Sequence, residues 1–152
     1  MLLETAKLQT ILLTSHMTEA ERFYQQVLGL RVKRRVLGGH GPGQVYDVGG
    51  EELLLFPVPS HTPSEHTVVG FAVSDLSAVI GELRARGLEW MRIPGLPHRE
   101  DGALVTPDGT QVVWFRDPDG NVLSIVQYAP AESLDGRSAG DALRPRDTLA
   151  QH

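Results

Sequence analysis

The sequence predicts an α+β fold of two tandem βαβββ modules, one over about residues 7–58 and the other over about residues 66–128. Two observations carry this. Each half runs through the same order of strand, capped amphipathic helix, strand and hairpin, and a repeat on this scale marks a duplicated supersecondary unit. Each half also closes on a corner of turn formers set between apolar runs: Gly49-Gly50 in the first, and Asp117-Pro118-Asp119-Gly120-Asn121 in the second.

The first module opens with Thr10-Ile11-Leu12-Leu13, a short apolar strand. Thr18 and Glu21 stand at capping-box spacing, where each side chain satisfies a backbone donor, so a helix is expected from Thr18 to Leu28. Ala20, Phe23, Tyr24, Val27 and Leu28 share one face of it, and Gly29 suits a left-handed cap. A strand over Leu30 to Leu37 follows. Gly38, Gly39, Gly41 and Gly43 do not open a helix, so they form no phosphate cradle and read as a flexible loop able to act as a lid. The hairpin Gln44 to Val48 and Glu52 to Val58 turns through Gly49-Gly50.

The second module repeats this with a strand Thr67 to Ser74, a helix capped by Asp75 and closed by Gly87, a strand Leu88 to Ile93 and a loop. Val79, Ile80 and Leu83 form the helix's apolar face. The incoming strand is Gln111 to Arg116. Pro118 suits position i+1 of a tight turn, Asp117 can accept from backbone donors ahead of it, and Gly120 with Asn121 tolerates positive φ. The last strand is Val122 to Tyr128. Residues 129–152 carry only isolated leucines and are expected to be a mobile tail or a dimer arm.

At 152 residues and 41% hydrophobic content the chain can bury a sizeable core. A net charge of −5 argues against nucleic acid, and the basic cluster Arg31, Lys33, Arg34, Arg35 reads as a solvated strand end. The absence of cysteine excludes disulfides, thiolate nucleophiles and thiolate metal sites. The N-terminal residues lack the pattern of a secretory signal and no apolar run reaches spanning length, so a cytoplasmic protein with no membrane partner is expected.

This order of elements, with Phe23-Tyr24 and Val27-Leu28-Gly29-Leu30 in the first helix and Asp-Pro-Asp-Gly-Asn at 117–121, resembles the vicinal oxygen chelate superfamily. Glyoxalase I, extradiol dioxygenases, fosfomycin resistance enzymes and bleomycin-resistance proteins belong to it. The resemblance implies paired curved mixed sheets around a cleft, helices outside, and a site often shaped by a homodimer. It also implies that a metal, where bound, is held from the first and last strands of each module. On this chain those places are Gln9, Leu54, Val68 and Ser124, the last standing three residues after Asn121 where metal-dependent relatives carry Glu. Divalent cations need several imidazole or carboxylate donors at about 2.0–2.6 Å. Gln9 and Ser124 are neutral and Leu54 and Val68 apolar, so neither metal nor cofactor is expected.

A displaced set, Gln9, Glu52 and His66, would instead make the chain a divalent-metal-dependent lyase, isomerase or dioxygenase. It requires a slip of two residues, about 6.6 Å of strand. On the residues alone, Glu52 reads as solvated at a hairpin end and His66 as capping its strand. His16, where relatives commonly have Asp, reads as a capping or rim group, and His40, His61 and His98 fall in loops.

The leading expectation is a metal-independent small-molecule-binding protein whose catalytic residues, if any, are unknown. Gln9, Ile11, Leu54, Phe56, Val68, Trp114 and Ser124 are expected to line a largely apolar cleft, Trp114 offering a stacking face and Gln9 and Ser124 orienting polar atoms. The expected partners are a small hydrophobic or aromatic molecule and a second copy of the chain. An enzyme, with or without metal, and a purely dimerising domain with a vestigial cleft are the alternatives.

Overall fold

The computed structural model describes residues 2–130, so the expectations for the tail beyond Pro130 lie outside the described residues. The chain divides into two compact units, Met1–Pro63 and Ser64–His152.

The first unit contains β1 (Gln9–Thr14), α1 (Met17–Arg22), β2 (Arg31–Gly38), β3 (Gly41–Val48) and β4 (Glu51–Pro57). Its sheet has the order β1-β4-β3-β2, with β1 parallel to β4 and the other pairs antiparallel. Alternation along β1 sorts the faces: Leu12 and Thr14 are buried, while Gln9, Ile11 and Leu13 are exposed. The buried face meets the helical segment, where the Tyr24 ring lies 6.1 Å from that of Tyr46 and Gln25 Nε2 donates to the Tyr46 hydroxyl at 3.1 Å. The predicted hairpin is present, with Gly49 and Gly50 at φ of 56° and 86°.

Two expectations for this unit are corrected. Thr18 and Glu21 form no capping box, because α1 begins at Met17 with His16 at the cap position and no side chain capping it. Thr14 decides this: its Oγ1 accepts from the His16 N–H at 2.9 Å and bends the chain into the helix before Thr18 is reached. After Arg22 the helix widens into a π turn over Phe23–Val27, with Leu28 N–H donating to the Phe23 carbonyl. Gly29, at φ 72°, closes it as predicted.

The second correction concerns the glycine-rich lid, which is absent. Only Gly39 and His40 separate β2 from β3, and Gly41 and Gly43 lie within β3. These glycines make room for an aromatic ring: a Cβ at Gly43 would lie 2.7 Å from Phe56 Cδ1 and 2.8 Å from the Leu55 carbonyl, and one at Gly38 would lie 3.0 Å from the same Phe56 atom.

The second unit contains β5 (Thr67–Ala72), α2 (Leu76–Ala85), β6 (Leu104–Val105), β7 (Gln111–Arg116) and β8 (Val122–Gln127), in the sheet order β5-β8-β7-β6. Only β5 and β8 are parallel. Asp75 caps α2 as predicted, accepting from Ala78 N–H at 3.1 Å, and the Gln127 side chain accepts from Leu76 N–H at 2.8 Å. Leu76, Ile80 and Leu83 are its buried face, and Gly87 follows at φ 90°.

Leu88 to Ile93 forms no strand. Its backbone bond to the sheet is Met91 N–H to the Trp114 carbonyl at 2.8 Å, and β6 takes the sheet edge instead. Pro94 has no N–H with which to extend a ladder. The segment is held by side chains. Arg92 donates to the carbonyls of Arg99 and Glu100, while His98 accepts from Ile93 N–H at 2.9 Å and places Nδ1 2.9 Å from the Gly102 carbonyl. His98 is thus a pin for a covering segment.

The Asp117 corner forms as predicted. Asp117 Oδ1 accepts from the N–H groups of Asp119 and Asn121, both at 2.9 Å, and Oδ2 accepts from Asn121 Nδ2 at 2.8 Å. Gly120 takes positive φ and, among the described residues, no non-glycine residue does, so Asn121 contributes through its side chain and not its backbone freedom.

Candidate functional site

Side chains of one face of the second sheet enclose a pocket of about 270 Å³. From β5 come Thr67 to Gly70 and Ala72; Thr110 and Val112 enter from the β7 side, and Ser124, Val126 and Tyr128 from β8 and its exit. The register explains the grouping: Gly70 lies beside Ser124, Ala72 beside Val126, and Val126 opposite Val112. A β-bulge falls between Thr67 and Val69, which lets consecutive residues reach the same concavity. The pocket carries hydroxyl groups but no ionisable acid or base side chain of Asp, Glu, His, Lys or Arg.

Val68 and Ser124 are therefore brought together. Val68 is 41% exposed, whereas Ser124 is 7% exposed at the floor. Trp114 pairs with Ser124 in the β7–β8 ladder and so points to the same sheet face, as predicted. Its stacking role is corrected. Only 1% of Trp114 is exposed; it packs with Leu104, Val112 and Val122 beneath Met91 and Ile93, and the His98 ring meets it edge-on at 6.2 Å. The segment that failed to become a strand is what covers it.

Gln9, Ile11, Leu54 and Phe56 share one face of the first sheet, since Gln9 pairs with Glu52, Ile11 with Leu54 and Leu13 with Phe56. Ile11 is 58% exposed and Leu54 is buried. Gln9 is committed to protein: its Nε2 donates to Glu52 Oε1 at 2.7 Å.

Glu52 is not a solvated hairpin end. Arg34 grips it through two bonds of 2.6 and 3.1 Å, Lys33 Nζ lies 2.8 Å away, and its side chain is 16% exposed. Adjacent strand residues normally face opposite ways; the register shift between Val32 and Arg34 lets both Lys33 and Arg34 reach one carboxylate. The Arg34 guanidinium first, then Lys33 and Gln9, hold this carboxyl well below the usual carboxylate range.

A depressed carboxyl stabilises the fold above its unfolded pKa, and that contribution is lost as pH falls through the folded value. Glu52→Gln is accordingly expected to lower stability at pH 7, with the gap to wild type closing progressively below pH 4.5. Chemical denaturation across that range checks it; a gap independent of pH would contradict the ion-pair account. Added salt should narrow the gap as well.

The displaced metal set does not fit. Glu52 already has two cations and an amide on its oxygens, so recruiting it would strip three donors from one carboxylate. His66 is exposed, with its N–H on Ser64 Oγ at 3.0 Å. Among the described residues no group of three or more His, Asp or Glu side chains is placed to hold one ion. The four positions implied by the resemblance fit no better, for Leu54 and Val68 offer no donor atom.

Gly70, Thr67, Thr110 and Tyr128 were not anticipated as lining residues. Gly70 was legible, since positions 68, 70 and 72 of a strand share a face. Thr110 and Tyr128 lie outside the strands and join the pocket only because Thr110 Oγ1 accepts from Ala129 N–H at 3.1 Å, drawing the β8 exit toward the β7 approach.

Comparison with known proteins agrees with the fold. No curated protein matches the sequence. Among solved structures the chain is similar to lactoylglutathione lyase from Agrobacterium tumefaciens, at 23% identity and a TM-score of 0.59 over 81% of this chain and 93% of that one. It is similar also to TnmS3, an antibiotic binding protein from Streptomyces, at 20% identity and a TM-score of 0.61 over 82% and 97%. A virulence protein from Salmonella typhimurium shares 22% identity at a TM-score of 0.57, over 84% and 99%. At these identities the likeness is one of fold. The sequence itself matches the profile of the Glyoxalase/Bleomycin resistance protein/Dioxygenase superfamily over residues 7–125. That match runs through both modules, from the start of one to the last strand of the other, and the chain therefore belongs to this vicinal oxygen chelate superfamily.

Proposed function

We propose that this protein is a metal-independent small-molecule-binding protein of the glyoxalase/bleomycin-resistance type, a cytoplasmic homodimer that holds a small, largely apolar ligand. The observation that carries the reading is the pocket of the second sheet, in which the superfamily's metal positions are filled by Val68 and Ser124 and no charged side chain is present. Apolar walls supply affinity through buried area, and a few hydroxyls supply orientation. The structural likeness to an antibiotic binding protein supports it; the likeness to a lactoylglutathione lyase is one of fold, and a fold hosts more than one activity. Ile11, Leu54 and Phe56 present a second, fuller apolar face, with Gln9 at its polar end.

Elemental analysis of purified protein tests the metal half of the proposal. After dialysis the protein is expected to hold far less than one equivalent of Ni, Zn, Fe or Mn. Stoichiometric metal that is lost in Glu52→Ala or His66→Ala would overturn it in favour of the displaced-ligand enzyme.

A further inference from the structure

The pocket has an internal comparison that says what it admits, and the inference drawn from it rests on the binding reading above. Matching register positions in the two sheets place Ile11 beside Leu54 and Leu13 beside Phe56 in the first unit, but Gly70 beside Ser124 and Ala72 beside Val126 in the second. At all four positions the second unit has the smaller side chain. The missing volume is the pocket.

Gly70 is the extreme case. Its φ lies outside the left-handed region, so the backbone does not call for glycine there, and glycine in a strand interior weakens the strand. A Cβ at this position would sit 3.2 Å from Ser124 Oγ, closer than relaxed van der Waals contact. Glycine therefore leaves that hydroxyl open to the pocket. Ser124 is only 7% exposed, and its hydroxyl makes no hydrogen bond to another described residue. Any partner it acquires must come from inside the concavity.

We propose that Gly70 is the specificity-determining residue of this site. Its bare backbone admits a flat, uncharged fused-ring molecule against β5 and β8, and Ser124 Oγ hydrogen-bonds a hydroxyl or carbonyl on the edge of that molecule. A charged substituent is disfavoured, because no Asp, Glu, His, Lys or Arg side chain lines the pocket to pair with it and the charge would lose hydration without compensation. The volume of about 270 Å³ sets the size, at the small end of ligand pockets.

Fluorescence titration of the full chain with 1-hydroxypyrene and pyrene-1-sulfonate tests this. Wild type is expected to bind the neutral probe at least about tenfold more tightly than the sulfonate. Gly70→Val should weaken 1-hydroxypyrene by about tenfold or more while leaving the thermal midpoint close to wild type, since Gly70 is an exposed residue on an edge strand. Ser124→Ala should weaken it by about fivefold, the worth of one hydrogen bond. Should the valine variant not fold, Gly70→Ala and Ser124→Ala carry the same comparison. A wild type that binds neither probe would overturn the binding reading itself. A wild type that binds, with affinity unmoved by the Gly70 and Ser124 variants, would place the ligand elsewhere and overturn this assignment alone; equal affinity for the sulfonate would overturn the neutral ligand class.

Discussion

Trp114→Ala is expected to lower the unfolding free energy by about 4 kcal/mol, the cost of deleting a fully buried indole and leaving a cavity that its neighbours fill only in part. Guanidinium chloride unfolding reads the loss directly. The magnitude follows from the surroundings, for Leu104, Val112, Val122, Met91 and Ile93 pack on the ring and the His98 imidazole meets it edge-on. Trp114→Phe separates packing from recognition. The indole Nε1 is buried with no hydrogen-bond partner among the described residues, so phenylalanine removes an unsatisfied donor along with some volume. Its net cost should be smaller, about 1–2 kcal/mol. Because Trp114 does not line the pocket, Trp114→Phe should also leave small-molecule affinity unchanged. A selective loss of binding in a stably folded Trp114→Phe protein would restore the stacking role that burial denies.

Asp117→Ala is expected to cost about 3 kcal/mol, because it removes a carboxylate that accepts three hydrogen bonds and is only 5% exposed. The Asp119 and Asn121 amides would lose their shared acceptor at a corner where Gly120 N–H also closes on the Asp117 carbonyl at 2.9 Å. Asp117→Asn should cost about half as much. Its carbonyl oxygen can still serve both backbone donors, while its amide nitrogen would face Asn121 Nδ2, donor against donor. Thermal denaturation of the two variants checks the ranking. Equal losses would show that the charge, and not the geometry of acceptors, holds the corner.

These cases show why some features were legible in sequence and others were not. The Asp117 corner and the Asp75 cap each involve residues within four positions of one another, so their hydrogen bonds are nearly independent of the rest of the fold. The Thr18 capping box has equally local logic, yet Thr14 from the preceding strand captures the chain first. The partners of Glu52 depend on a bulge beside Lys33, and a bulge changes which side chains face each other without leaving a clear mark in the sequence. Alternation alone places Trp114 on the sheet face of Ser124. Its burial required knowing that 91–103 folds over it through His98 and Arg92 instead of joining the sheet.

The sequence by itself determined the two-module α+β architecture, through periodicity and turn chemistry, and the superfamily, through the residues that carry the resemblance; it also showed that the positions the resemblance assigns to a metal hold the neutral or apolar residues Gln9, Leu54, Val68 and Ser124. Only the tertiary structure decided where the space lies. Matching positions hold Ile11, Leu13, Leu54 and Phe56 in one sheet and Gly70, Ala72, Ser124 and Val126 in the other. Whether a strand face is filled or hollow depends on the side chains that pairing sets side by side, and that register is a property of the folded sheet.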